Sequence, residues 1–175
     1  ADEVLLAADT RARLPIVGGP QASERTQAAA QTLADYLGRI SAAAFTVTKG
    51  DGSGGLVVGV PANFTKLPFK TAFPGGPRGR EDYLLRSAAG GVWLLGASDL
   101  AVTHAVWDLL YRLGYRQFFP GRVWEVIPAQ QRLSIKVDAS ESPAFCSRRI
   151  WYNWGTLDYN AQPYADWCAK NRHAQ

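Results

Sequence analysis

Several residue types are scarce or missing in this 175-residue chain, and each shortage removes a class of site. There is no methionine, so we expect Ala1 to be a processed or engineered start, from which a signal peptide could have been removed. The cysteines Cys146 and Cys168 do not have zinc-site spacing with each other or with a histidine. Two alternatives remain for these cysteines, a disulfide bond between them or two buried free thiols, and the free thiols are favoured. No metal or other cofactor is predicted.

Long apolar runs and a strong excess of one charge are also lacking. No stretch approaches the roughly 18 to 20 apolar residues of a membrane helix, so no membrane partner is predicted. The 19 Lys and Arg against 15 Asp and Glu give a net charge of +4. The basic residues are scattered and form no stripe along a predicted helix, so nucleic acid is not an expected partner. Apolar side chains are plentiful, at 47% of residues, and this is enough to bury a sizeable core.

Two long amphipathic helices are predicted. Residues 23–40 repeat apolar side chains at helical spacing after Ser23, a good N-terminal cap. The second helix is capped by Ser98 or Asp99 and ends before Gly114, since glycine readily takes the left-handed geometry of a helix end. Its predicted buried face consists of Val106, Leu109, Leu110 and Leu113.

Short apolar or alternating runs predict strands at residues 4–8, 14–17, 45–48, 56–60, 81–87, 91–95, 116–119, 123–127 and 133–138. The 56–60 run is apolar throughout and is expected at the centre of a sheet, while 45–48 alternates like a half-buried strand. Residues 61–80, with four prolines and three glycines, are expected to be a surface excursion. The pattern predicts an α+β two-layer sandwich, with a mostly antiparallel or mixed sheet and two long helices on one face.

A pattern that is typical of a known family lies between residues 96 and 128. The residues that form it are Gly96, Ala105 to Leu110, Leu113, Gly114, Arg116, Phe118 to Gly121, Trp124, Ile127 and Pro128. This stretch resembles the N-terminal domain of bacterial α-glucuronidases, which is similar to the second domain of chitobiases and family 20 β-hexosaminidases. In that family the domain precedes a (β/α)8 barrel and is not itself catalytic.

The resemblance implies a division of the chain. Residues 1–140 would be the accessory domain, and residues 141–175 a linker and the first strand and helix of the barrel. We read residues 139–143 as the linker, 148–153 as the strand and 162–172 as the helix. The implied partner is a C-terminal catalytic barrel in the same parent chain, in a secreted or periplasmic bacterial protein. An unpaired barrel strand would also allow self-association through the tail.

No catalytic constellation is predicted. A glycosidase needs two carboxylates flanking the scissile bond, and nothing marks a pair among those available. We therefore expect surface charges at Glu125, Glu141, Asp158 and Asp166. His104 and Asp108 stand four residues apart on the second helix, where a structural hydrogen bond is expected. His173 is expected to be solvated.

The most sugar-like group lies near the C-terminus, where aromatic rings could stack on pyranose faces and arginines could grip hydroxyls or a uronate. Its members are Arg148, Arg149, Trp151, Asn153 and Trp154. The resemblance implies that an arginine of the first barrel strand helps to bind sugar, with the choice between Arg148 and Arg149 open. The alternative is that the aromatics form the core between accessory domain and barrel.

Three functions are compatible with these patterns. The first is a non-catalytic accessory domain of a secreted, α-glucuronidase-like glycoside hydrolase that degrades polysaccharide. The second is an independent module that binds carbohydrate or another protein. The third, a complete small enzyme, is disfavoured because no catalytic site is visible.

Overall fold

The computed structural model describes residues 1–145, 147–150 and 160–173. In chain order its regular elements are β1 (Val4–Ala8), β2 (Arg11–Ala12), β3 (Ile16–Gly18), α1 (Glu24–Ser41), β4 (Val47–Lys49), β5 (Gly55–Gly59), β6 (Tyr83–Ala88), β7 (Gly91–Gly96), α2 (Asp99–Arg112), β8 (Arg116–Gln117), β9 (Glu125–Val126), β10 (Arg132–Ile135), β11 (Asp138–Glu141) and α3 (Ala161–Lys170). Within these ranges no helix combines the length and apolar character needed to cross a bilayer.

A six-stranded mixed sheet forms the centre of the molecule, in the order β11-β6-β7-β5-β3-β4. The strands β4, β3, β5 and β7 are parallel, and β6 and β11 are antiparallel to their neighbours. All five residues of β5 are buried, which confirms its predicted central position. Both α1 and α2 pack on the same face, so the predicted α+β class is confirmed.

The helices begin where their caps predict. The Ser23 hydroxyl accepts a hydrogen bond from the Thr26 amide at 3.1 Å, and the Ser98 hydroxyl accepts one from the Ala101 amide at 3.3 Å. Asp99 lies in the first turn of α2 and accepts a hydrogen bond from the Thr26 hydroxyl at 2.8 Å, which joins the two helix starts. The predicted apolar face of α2 is buried against the sheet.

Residues 61–80 lie at the surface, as expected, but they also cover the second face of the sheet. Phe64, Leu67, Phe69 and Phe73 of this loop pack on the second face of the sheet, against a core that includes Trp93. The Trp93 indole is fully buried and donates a hydrogen bond to the Gly52 carbonyl at 2.9 Å. The sequence analysis did not predict this packing, which is needed because the apolar β5 and β7 bury both faces, so the face without helices also needs a cover.

Two smaller sheets complete the fold, one of β10, β1 and β2 and the other of β8 and β9. The run at residues 133–138, predicted as one strand, breaks between β10 and β11, so that β10 pairs with β1 and β11 with β6. The expected linker at 139–143 therefore begins inside a strand. The strand expected at 45–48 is observed as β4, which is exposed at the sheet edge and not half-buried. A separate two-stranded hairpin is formed by β8 and β9.

The C-terminal segment, comprising residues 147–150 and 160–173, docks on the domain. Helix α3 begins one residue before the predicted 162–172 helix and ends two residues earlier than predicted; it packs near α2, with Cys168 buried and Trp167 half-buried. Residues 147–150 form no regular strand. The rest of the predicted 148–153 strand and Cys146 lie outside the described residues, and the division into accessory domain and barrel stays a prediction.

Candidate functional site

The predicted sugar-binding group is only partly within the described residues. Arg148 directs all three guanidinium nitrogens at the protein itself: Nη2 at the Glu81 carboxylate, Nη1 at the Phe145 carbonyl (2.8 Å) and Nε at the Arg172 carbonyl (3.1 Å). Arg149 is exposed. The other three members, Trp151, Asn153 and Trp154, lie outside the described residues, so sugar binding by this group stays a prediction.

Arg148 belongs to an ion cluster with Arg172 and the buried side chains of Glu81, His104 and Asp108. Glu81 ends a short turn before β6, while His104 and Asp108 lie one helical turn apart on α2. The Arg172 guanidinium donates to Asp108 Oδ1 at 2.8 Å, and the His104 Nδ1 lies 3.7 Å from Glu81 Oε2. All members of the cluster except Asp108 line a cleft of about 270 Å³, and the cluster joins the C-terminal segment to α2.

His104 does not make the expected contact with Asp108. Its acidic neighbour is Glu81, whereas Asp108 pairs with Arg172 and Arg112. Burial lowers the pKa of His104 to about 4, although the nearby Glu81 carboxylate opposes this change. The imidazole is therefore neutral at pH 7, beside a carboxylate already paired with Arg148. This arrangement is a structural ion network, since a general base near pH 7 needs a pKa near that value.

The second candidate place is a polar cleft of about 760 Å³ between α1, the β8–β9 hairpin and α3, with Glu125 at its floor. The Glu125 side chain is only 7% exposed. It accepts hydrogen bonds from the hydroxyls of Tyr36 (2.6 Å) and Tyr115 (2.8 Å), from Lys170 (3.1 Å) and from Arg39 (3.2 Å). The expectation of a solvated surface charge at Glu125 was wrong, because four donors from three distant parts of the chain converge on it.

The chemistry available to Glu125 follows from these bonds. Burial alone would raise the pKa of its carboxyl, but the hydrogen bonds from Tyr36, Tyr115 and Lys170 outweigh burial and lower the pKa to about 2. A general acid of a glycosidase needs the opposite change. Glu125 stays ionised and fully engaged, so its role is to hold α1, β9 and α3 together.

The remaining candidate acids and the tail histidine also have defined surroundings. Glu141 pairs with Arg112 at 3.1 Å, and Asp166 accepts a hydrogen bond from Gln162, both at exposed positions. Asp158 lies outside the described residues. His173 is half-buried, with its ring 4.8 Å from that of Trp167, so the expectation that it is solvated was wrong. Across the described ranges no group of three His, Cys, Asp or Glu is placed to hold a metal ion.

An exposed aromatic hairpin is a feature that the sequence reasoning missed. Residues 116–126 form two strands of two residues each, and five large apolar side chains there are between 47% and 87% exposed. These are Phe118, Phe119, Val123, Trp124 and Val126. Such concentrations of exposed apolar surface mark interaction sites. The signal that could have found it is the run of aromatics around Pro120 and Gly121.

Comparison with known proteins finds similarity to solved structures. No protein-family model and no curated protein matches the chain. It aligns with the GH20 β-N-acetylhexosaminidase from Streptomyces coelicolor A3(2) at a TM-score of 0.51 and 20% identity, over 85% of this chain and 26% of that one. A mutant β-hexosaminidase from Streptomyces plicatus, in complex with product GlcNAc, gives the same score and identity over 85% and 25%.

The fold is similar to part of the GH20 β-hexosaminidases. The chain spans about a quarter of the length of these enzymes. At 20% identity the likeness concerns the fold alone. The predicted resemblance to β-hexosaminidases is therefore supported for the fold. The resemblance to α-glucuronidases stays a prediction.

Proposed function

We propose that this chain is the non-catalytic N-terminal accessory domain of a secreted bacterial glycoside hydrolase, α-glucuronidase-like, that acts on polysaccharide. The observation that carries the proposal is the partial likeness to GH20 β-hexosaminidases, in which 85% of this chain corresponds to about a quarter of a much longer enzyme. A domain of that size in such an enzyme leaves most of the polypeptide for a catalytic barrel.

Two features of the described residues favour a non-catalytic, accessory role. The three buried carboxylates Glu81, Asp108 and Glu125 are each paired with cations, so none is available as acid or nucleophile. The aromatic hairpin also offers an apolar surface of the kind that packs against another domain. We assign the catalytic barrel as the partner of this surface.

The test uses the natural polypeptide that contains this chain, with a reading frame expected to continue well past Gln175. The full-length protein should hydrolyse an aryl-glucuronide, and a panel of other aryl-glycosides, aryl-hexosaminides among them, defines its specificity. Replacing Trp124 by serine should lower the melting temperature of the full-length protein but change that of residues 1–175 very little. Val47→Ser on the exposed edge strand β4 is the matched control.

A full-length protein without glycosidase activity would overturn the enzymatic half of the proposal. Equal effects of Trp124→Ser on the full-length protein and on residues 1–175 would overturn the assignment of the hairpin as a domain contact.

An independent carbohydrate-binding module is the second candidate, favoured by the polar cleft above Glu125. Arg39, Arg122, Gln117 and Asp166 line it with both donors and acceptors, as sugar hydroxyls require. A glycan array probed with residues 1–175 distinguishes the two. Saturable binding that is lost on Arg122→Ala would favour the module, and no binding would favour the accessory domain.

A further inference from the structure

We propose that three buried carboxylates, Glu81, Asp108 and Glu125, form a docking surface for the cationic C-terminal segment, which is thereby clamped to the domain in a fixed orientation. This carboxylate surface would make the passage from the domain to the next module a rigid joint. The identity of that next module rests on the proposed function, whereas the clamp itself rests on contacts within this chain.

The three carboxylates come from separate elements but meet one partner. Glu81 precedes β6, Asp108 lies on α2 and Glu125 begins β9. Their side chains are 4%, 5% and 7% exposed, and each meets a different cation of the C-terminal segment. The pairs are Glu81 with Arg148, Asp108 with Arg172 at 2.8 Å and Glu125 with Lys170 at 3.1 Å.

A carboxylate that is buried without a cation is strongly destabilising, so this surface needs its partner. The need differs among the three sites. Asp108 also pairs with Arg112, and Glu125 also pairs with Arg39. Among the described residues Glu81 lies within ion-pair distance of Arg148 and His104, and His104 is neutral at pH 7. The Glu81–Arg148 pair should therefore be the one on which docking depends most.

Directional hydrogen bonds fix the register of the docked segment. The Trp167 indole and the Asn171 amide both donate to the Gln117 carbonyl of β8 at 3.1 Å. The Arg172 guanidinium also donates to the Tyr83 hydroxyl at 2.9 Å. The segment is thus hydrogen-bonded to β8, a strand of the aromatic hairpin, so docking fixes the position of the segment relative to the hairpin.

The test is hydrogen exchange of residues 1–175, read by mass spectrometry on peptides that cover 160–173. Arg148→Met should reduce amide protection of α3 at least about tenfold, Arg172→Met less and Lys170→Met least, while β5 keeps its protection. Arg132→Met, at an exposed position on β10, is the matched control and should leave α3 unchanged.

A paired replacement separates a clamp from general damage. In Arg148→Met the buried carboxylate of Glu81 has lost its cation. Adding Glu81→Gln removes this unpaired charge and should restore much of the lost amide protection, which a merely destabilised helix would not show. Arg148→Lys keeps the charge and should lose less protection than Arg148→Met.

Unchanged protection of α3 in both Arg148→Met and Arg172→Met would overturn the clamp. So would a double variant no better than Arg148→Met. Because the readout is exchange and not turnover, an inactive full-length protein would refute the proposed function and leave this result standing.

Discussion

Replacing Glu125 by glutamine gives a stability loss that depends on pH. The side chain keeps its shape but loses the charge that four donors surround. In the folded protein the pKa of Glu125 is about 2, against an ordinary value of 4.5. Such a difference corresponds to at most about 3 kcal/mol, and solvent screening of the half-exposed Arg39 reduces this, so we expect ~2 kcal/mol at pH 7.

The sign of the pH effect follows from the lowered pKa. A carboxyl that is more acidic when folded stabilises the protein fully above about pH 4.5, and this stabilisation is lost as the pH falls towards 2. Urea denaturation followed by tryptophan fluorescence at pH 7, 5 and 3 measures it. The difference between wild type and Glu125→Gln should shrink by more than half by pH 3.

Asp35→Asn is the matched control, because Asp35 lines the same cleft but is exposed. It should change the free energy of unfolding by less than about 0.5 kcal/mol. A Glu125→Gln protein as stable as wild type at pH 7, or a difference that does not change with pH, would refute the reasoning.

Three further predictions concern the core and its cover. Leu110→Ala should destabilise by about 2 to 5 kcal/mol in chemical denaturation, because Leu110 is fully buried under the sheet, and a loss below about 0.5 kcal/mol would contradict this. Phe69→Ala should cost about 2 kcal/mol because its half-buried ring lies 5.4 Å from that of Trp93; an effect no larger than that of Lys70→Ala would show that the loop does not cover the sheet. The free energy of unfolding of the wild type should fall as the pH is lowered from about 6.5 to 4, because His104 binds a proton in the unfolded chain but stays neutral when it is buried. His104→Gln should make this pH dependence weaker, and an unchanged dependence would contradict the lowered pKa.

Local signals in the sequence predicted the frame of the fold. Capping by Ser23 and Ser98 is a contact within one turn, so it can be read from neighbouring residues. The buried face of α2 follows from helical spacing alone. The central position of β5 follows from its unbroken apolar run, which also held the clue to the covered second face that the prediction for residues 61–80 ignored.

Contacts between distant residues could not be predicted in this way. Tyr36 and Lys170 approach Glu125 across 89 and 45 positions of sequence, and no local pattern encodes that meeting. Nor did the sequence indicate that the guanidinium of Arg148 pairs with a buried carboxylate 67 positions away. For polar side chains, the residue type indicates the chemistry that is possible, and the tertiary packing selects the partner.

The most direct test of the accessory role is the turnover of aryl-glucuronides and aryl-hexosaminides by residues 1–175 alone. We predict no hydrolysis above a buffer control, because the buried carboxylates Glu81, Asp108 and Glu125 are each held in an ion pair and none is poised as an acid or a nucleophile. Hydrolysis by this chain that disappears when a single Asp or Glu is replaced by its amide would contradict the account.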